Sequence, residues 1–365
     1  MKVRYSYLKQ QFKNCPDLWL KLKNFVSTGD FTLGKELQKF EKSFAKLIGT
    51  KYAIGVNSGT DAIKLSLKSI NIKPGDEVIT AANTFVATVG AIIEVGAKPV
   101  FIDCDDSFCM NSSLLEKSIT KKTKAIIPVH FTGYMPNMSA IKRISNKYKI
   151  PIIEDACQSI LGAFKKKNAG TWGLTGAFSL HPLKNINVWS DGGVITTNQK
   201  KIYDKLILLR NHGLIDRDTV KISGYNSRLD TFQAVIGNWI LPKAKSIAKK
   251  RILNAKYLDK GLSSIHQIKI PMRPKDIKIV YHLYIVIAQN RDKLLEYCQK
   301  KGIEAKIHYP KPMYLQESLK NLNHKKGDFP ITDYQAKNII TFPCDQHLKK
   351  NELDYMIQTV RNFYS

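Results

Sequence analysis

Three short stretches hold residue types that could share one piece of chemistry. Asn57-Ser58-Gly59-Thr60-Asp61 lies where an apolar run gives way to a helical pattern. Small side chains there let backbone N–H groups close on an anion such as phosphate, although Ser-Gly at a helix start is also an ordinary cap. Glu154-Asp155-Ala156-Cys157-Gln158 follows the apolar run Ile150–Ile153. A carboxylate at the end of a buried strand must be paired, as a ligand or as a cap. Lys184, within Phe178-Ser179-Leu180-His181-Pro182-Leu183-Lys184-Asn185, follows another apolar run and precedes Asp191-Gly192-Gly193. An amine, a strand-end acid and a phosphate cradle are together what pyridoxal phosphate requires of a protein.

Competing motifs fail on their details. Gly29–Lys35 nearly spells a phosphate-binding P-loop, but Glu36 stands where the metal-binding hydroxyl belongs and no strand precedes it. No G-x-G-x-x-G fingerprint occurs. The six cysteines are scattered with no C-x-x-C pair, which suits reduced thiols better than zinc or a disulfide framework.

These residues need a scaffold that brings strand ends together. Apolar runs at Tyr52–Asn57, Asp76–Ala82, Pro99–Asp103, Thr123–His130, Ile150–Asp155, Gly176–His181 and Gly193–Thr197 alternate with helical patterns at Asp61–Ile70, Thr84–Val95 and Met138–Tyr148. Helices are expected to dominate from Lys201 to Leu258. That rhythm predicts a largely parallel sheet covered by helices, with ligands at the carboxyl ends of its strands. After about Lys250 a strand-like Val280–Ile287 and a helical Arg291–Lys301 predict a smaller α+β unit, giving domains at 1–250 and 251–365.

With 365 residues, 43% of them hydrophobic and 24% charged, the composition is globular and excludes disorder as the main theme. No eighteen-residue apolar stretch and no signal peptide is visible, so a soluble cytoplasmic protein is expected. The net charge of +28 comes almost wholly from Lys spread along the chain, with only nine Arg. Nucleic-acid readout favours clustered Arg, so neither a nucleic-acid nor a membrane partner is expected.

The whole pattern resembles the DegT/DnrJ/EryC1/StrS family of sugar aminotransferases. The matching stretches are NSGTDA at 57–62, PGDEVITAANTFVAT at 74–88, KAIIPVHFTG at 124–133, IEDACQS at 153–159 and FSLHPLKN at 178–185. DGGVITTN at 191–198, LRNHG at 209–213, GYNSRLDTFQA at 224–234 and IHYPKP at 307–312 continue it in order. The resemblance implies the aspartate-aminotransferase fold (fold type I) and pyridoxal 5′-phosphate as cofactor. Lys184 would hold the cofactor covalently and act as general base, and Asp155 would pair with its ring nitrogen. Gly59, Thr60 and Ser179 would hold its phosphate, joined by Asn226 from the other subunit of a homodimer. Phe85 would stack on the ring and Gln158 would lie near its phenolic oxygen. His308 and Tyr309, in the loop to Pro312, would line the sugar pocket across the dimer interface, with His181 beside it.

The same resemblance implies L-glutamate as amino donor, 2-oxoglutarate as its product and a nucleotide-linked ketosugar as acceptor. The product would be a deoxyaminosugar for lipopolysaccharide, another surface glycan or a secondary metabolite. Lys184-Asn185 through Asp191-Gly192-Gly193 is similar to the branch that aminates C3, which favours a 3-keto acceptor over a 4-keto one. Related sugar dehydratases put His in place of the Lys, so the presence of Lys184 favours transamination.

Overall fold

The computed structural model describes residues 1–365. Seven strands form the central sheet: β1 (Tyr52–Val56), β2 (Glu77–Ala81), β3 (Lys98–Ile102), β4 (Thr123–Ile127), β5 (Ile153–Asp155), β6 (Thr175–Ser179) and β7 (Gly193–Thr197). Their order is β3-β2-β4-β5-β6-β7-β1, with β4 and β5 joined by the parallel bridges Ile126↔Ile152 and Val129↔Asp155. Only β7 runs against the rest, antiparallel to both β6 and β1. The expected α/β sheet is therefore mixed but mostly parallel. The carboxyl ends of β1, β2, β4, β5 and β6, together with the start of β7, share one edge.

Local sequence explains the elements that frame this edge. Helix α1 (Pro16–Val26) and helix α2 (Lys35–Ile48) precede the sheet, and α2 buries Leu37, Phe40, Phe44 and Ile48 at helical spacing. The P-loop look-alike is only the start of α2, where Asp30 Oδ2 accepts from Lys35 N at 2.7 Å. Helix α3 (Gly59–Ser69) begins at Ser58, an extended residue whose Oγ accepts from Asp61 N at 3.1 Å. Helix α4 (Val86–Glu94) lies against α3, and α5 (Met138–Tyr148) starts at a second side-chain cap, Asn137. The core below the edge includes the edge-to-face pair Phe44–Phe178, with ring centroids 5.2 Å apart.

The expected helical run from Lys201 to Leu258 is interrupted. Helix α6 (Lys200–Arg210) stops before His212 and Gly213, both of which take positive φ. The chain then makes a small hairpin, with Leu214 bridging Val220, and returns at Tyr225, whose N–H donates to Leu209 O. Helicity resumes with α7 (Thr231–Ile240), which opens on a capping box between Asp230 and Gln233, and α8 (Ala244–Leu262). Helix α8 passes through position 250. Its Ala244, Ile247 and Ala248 belong to the core around the large sheet, and its Ala255, Leu258 and Leu262 belong to a second core.

That second core surrounds the short antiparallel sheet β8 (Ile268–Lys269), β9 (Tyr284–Ala288) and β10 (Ile339–Phe342). Strand β9 begins later than the apolar run suggests, because Tyr281 takes positive φ and Val280 N donates to Gly133 O instead. Helices α9 (Arg291–Lys300), α10 (Pro330–Asn338) and α11 (Lys350–Tyr364) complete this region. The N-terminal segment is stitched to the same region. Val3 pairs in parallel with Ile303, and Val3 and Tyr7 are buried in the second core.

Candidate active site

The three chemistry-bearing stretches meet at the carboxyl edge of the large sheet. Gly59 opens α3 at the end of β1, where a side chain could not fit. An added Cβ would lie 2.8 Å from Ser179 Cβ and 2.9 Å from Cys157 Sγ. Gly193 is equally constrained, 2.2 Å from Ser58 O by the same construction. The N–H groups of Gly59 and Thr60 are the first two of the helix and have no intrahelical acceptor. Beside them, Ser179 Oγ accepts from His181 N at 3.3 Å, which leaves its O–H free to donate. The result is an anion cradle of two backbone donors and one hydroxyl.

Two adjacent carboxylates end β5, and their surroundings differ. Glu154 is fully buried and accepts four hydrogen bonds: Trp172 N and Gly173 N at one oxygen, Gly170 N and His130 Nε2 at the other, all between 2.6 and 2.9 Å. Its acceptor capacity is spent on structure. Asp155 is buried too, but each oxygen takes one partner only, Thr88 Oγ1 at 2.7 Å and Cys157 N at 3.2 Å. Thr88 is braced by Thr84 at 2.6 Å. Asp155 therefore keeps lone pairs for a ligand. The sequence exposed the pair of acids but not this division, nor the part of Thr88.

Lys184 follows β6 in the turn His181–Lys184, closed by Lys184 N donating to His181 O at 2.8 Å. Burial lowers the pKa of its ammonium below the usual lysine value, and nearby Asp155 opposes that shift. The amine, the free carboxylate and the cradle thus converge. Cys157 itself is held protonated by burial, as an inert thiol would be. His181 is exposed, and its Nδ1 accepts from Leu183 N at 3.2 Å, so the ring faces back along its own turn.

An aromatic wall stands opposite. Phe85, 49% exposed at the start of α4, lies 5.8 Å from Tyr309 between ring centroids, and Tyr309 also meets Phe131 at 6.0 Å, so the His308–Tyr309 loop reaches the site of its own chain and not, as expected, a neighbour's. Gln158 Oε1 accepts from Thr132 N at 2.6 Å, which fixes that side chain beside Tyr309. His308 Nδ1 pairs with Thr341 Oγ1 at 2.9 Å, and its ring stacks on Tyr5 at 5.8 Å and 23°. Burial, Lys306 and Lys184 lower its pKa to about 4. Tyr5 is a wall residue that the sequence did not reveal, since 303 positions separate it from His308.

Asn226 is not gathered with the others. It is exposed, with its Oδ1 accepting from Arg228 Nε at 2.9 Å, in a shallow groove with Asn57 and Phe31. Neighbouring Ser227 ties this loop to α3 by donating to Asp61 at 2.6 Å. Asn185 donates its amide to Val280 O at 3.1 Å, and Asp191 is exposed with its carbonyl bonded to Gln233. Both bonds shape the loop after Lys184.

Comparison with known proteins adds names to this geometry. The model of the DegT/DnrJ/EryC1/StrS aminotransferase family matches residues 17–361. The chain is 33% identical over 340 residues to dTDP-3-amino-3,4,6-trideoxy-alpha-D-glucose transaminase of Streptomyces venezuelae, covering 93% of this chain and 89% of that protein. The crystal structure of S. venezuelae DesV with a ketimine intermediate superposes with a TM-score of 0.97 at 30% identity, over 100% of this chain and 99% of that one. The pyridoxal phosphate form of the putative sugar aminotransferase Spr1654 from Streptococcus pneumoniae gives a TM-score of 0.89 at 25% identity, over 94% of this chain and 95% of that one.

Proposed function

This chain belongs to the DegT/DnrJ/EryC1/StrS aminotransferase family, and on that premise we propose that it moves the amino group of L-glutamate onto C3 of a nucleotide-linked 3-ketosugar. The reaction class is sugar-nucleotide transamination, and the cofactor is pyridoxal 5′-phosphate. One observation carries the residue-level reading: Lys184 converges on Asp155 beside the Gly59–Thr60–Ser179 cradle. The donor set fits the cofactor, because it offers an amine, a carboxylate with unspent lone pairs and an anion site too tight for any side chain at Gly59.

When bound, pyridoxal phosphate supplies a carbonyl that joins to amines and a ring that stores an electron pair. The remaining work falls to protein groups. The N–H groups of Gly59 and Thr60 and the Ser179 hydroxyl hold the phosphate. Asp155, braced by Thr88, pairs with the ring nitrogen. Phe85 presents its exposed face for stacking, and Gln158 and Tyr309 border the opposite edge. Lys184 Nζ would anchor the cofactor and, once displaced, act as the general base of a 1,3-proton shift that begins at the amino-bearing carbon. Its lowered proton affinity suits a group that must be uncharged to begin that work. His308, kept neutral, lines the sugar pocket with Tyr309 and His181, and Asn226 completes the phosphate site of a second subunit in a homodimer.

Glutamate leaves as 2-oxoglutarate before the ketosugar enters, so one amino group is conserved overall. The C3 assignment draws support from the 3-amino product named for the Streptomyces relative and from the wording around Asn185 and Asp191. A 4-keto acceptor is the second reading, since both of those residues serve the loop. The product would supply a deoxyaminosugar for lipopolysaccharide or another surface polysaccharide, made in the cytoplasm. No helix is long and apolar enough to cross a membrane. We also propose a large cofactor-binding domain over 1–250, its N-terminal segment packed on a small domain over 251–365, with α8 spanning both. Offering 3-keto and 4-keto nucleotide sugars with glutamate, and locating the new amine by NMR, tests the assignment. Amination at C3 is expected, amination only at C4 would move the site on the sugar, and no amination of either would reject the acceptor class.

A further inference from the structure

Lys184 also lines a small cavity of about 20 Å³. Its walls come from the N-terminal segment (Tyr5, Gln11), the turn of Lys184, and Arg251, His282 and Gln346. Two buried polar atoms among these residues, Gln11 Nε2 and His282 Nδ1, have no protein partner. The volume suits one water, which needs roughly 10–15 Å³ and two to four polar contacts.

The direction of the hydrogen bonds around the cavity is determined. Arg251 has donors only. Its Nε donates to Gln346 Oε1 at 2.9 Å, so Gln346 Nε2 must donate onward, and it does so to Gln11 Oε1 at 3.1 Å. Gln11 is left with an N–H to give. Arg251 is itself held by Tyr281 O at 3.0 Å and by Asp345 at 3.4 Å. This chain of donors ends at Gln11, which lines the same cavity as His282, whose Nδ1 also lacks a partner.

We propose that the cavity is a one-water site whose water accepts from Gln11 Nε2 and donates to His282 Nδ1, making His282 a positioning residue for Lys184. The inference rests on the reading of Lys184 as the cofactor anchor. With Nδ1 occupied as an acceptor, the neutral ring carries its proton on Nε2. The ring is kept neutral by burial and by Lys184, Arg251, His308 and His181, all of which disfavour a second proton. Asp345, the acid nearest by, is occupied by Arg251 and His347. Lys184 is thus bordered by an uncharged imidazole in a single tautomer, held in place by a segment from the far end of the chain.

A crystal structure of the holoenzyme should show one ordered water within hydrogen-bond distance of both Gln11 Nε2 and His282 Nδ1. A dry cavity, or a water that touches neither atom, overturns the proposal. Nitrogen NMR of the histidine rings, with His282→Asn used for assignment, should find the Nε2–H tautomer. A protonated Nδ1 would overturn it as well. Gln11→Met removes the donor at similar volume. It should mix the His282 tautomers and shift the pH profile of covalent cofactor uptake by the apoenzyme, with uptake at neutral pH slowed about threefold. Unchanged ring signals in that variant contradict the bridge. Borohydride trapping separates the two levels: cofactor on Lys184 above a dry cavity sinks only the water site, whereas no cofactor on Lys184 sinks the reading beneath it.

Discussion

Along the carboxyl edge of the large sheet, Gly59, Asp155 and Ser179 sit on strand ends and strand-to-helix turns, held by backbone contacts with almost no freedom. Across the cleft, His308 and Tyr309 lie in a loop between small-domain strands, and Asn226 lies exposed on a loop after the hairpin that follows α6. The first wall is tightly held: Thr88 braces the acid, the cradle is closed to side chains at Gly59, and burial tunes the amine. The second is made of aromatic and imidazole faces carried mostly on loops, at 5.5 to 6.0 Å between centroids. A rigid wall can serve a cofactor that never varies, and an adaptable wall can be altered to suit one sugar or another.

If that contrast holds, damage to the first wall should be large and independent of substrate. Lys184→Ala should lower turnover by at least about 10³-fold, measured as 2-oxoglutarate release from glutamate. Asp155→Asn should follow at about 10²-fold or more, with the folded protein still able to take up some cofactor. Glu154→Gln separates chemistry from scaffold. The amide cannot accept all four donors, so a loss of about 3 kcal/mol in stability is expected, read as a fall in Tm. Activity of the fraction that remains folded should change far less than in Asp155→Asn.

Damage to the second wall should be smaller and should depend on the sugar. His308→Ala should raise KM for the ketosugar about tenfold while leaving the glutamate half-reaction near its original rate. An equal loss in both half-reactions would erase the distinction between the walls. The smallest effect concerns pH. The pKa of His308 is depressed to about 4 and that of His282 is depressed as well. Below pH 6.5 the unfolded chain therefore takes up protons that the folded chain refuses. These two residues should cost stability progressively as pH falls from 6.5 toward 4, and His308→Gln should flatten that part of the Tm profile.

The same contrast explains what the sequence made legible. Strand-end motifs at Ser58–Thr60, Asp155 and Ser179–Lys184 are local, since a turn, an apolar run and a polar residue lie within a few positions of one another. The βα rhythm that places them is local as well. What stayed hidden depends on distant partners. Thr88 reaches Asp155 across 67 positions and Tyr5 reaches His308 across 303. Glu154 and Asp155 look interchangeable until the turn at Gly170–Gly173 folds back and claims one of them. The break between α6 and α7 is local too, since Gly213 and Gly224 interrupt the helical pattern where His212 and Gly213 turn the backbone out of the helix.

Every proposed role depends on Lys184 as the cofactor anchor. Reducing the holoenzyme with borohydride, digesting it and sequencing the modified peptide by mass spectrometry tests this without reference to any sugar. A single pyridoxyl group on Lys184, absent from Lys184→Ala, is the predicted result. A modified lysine elsewhere in the chain, or no retained cofactor at all, would contradict it.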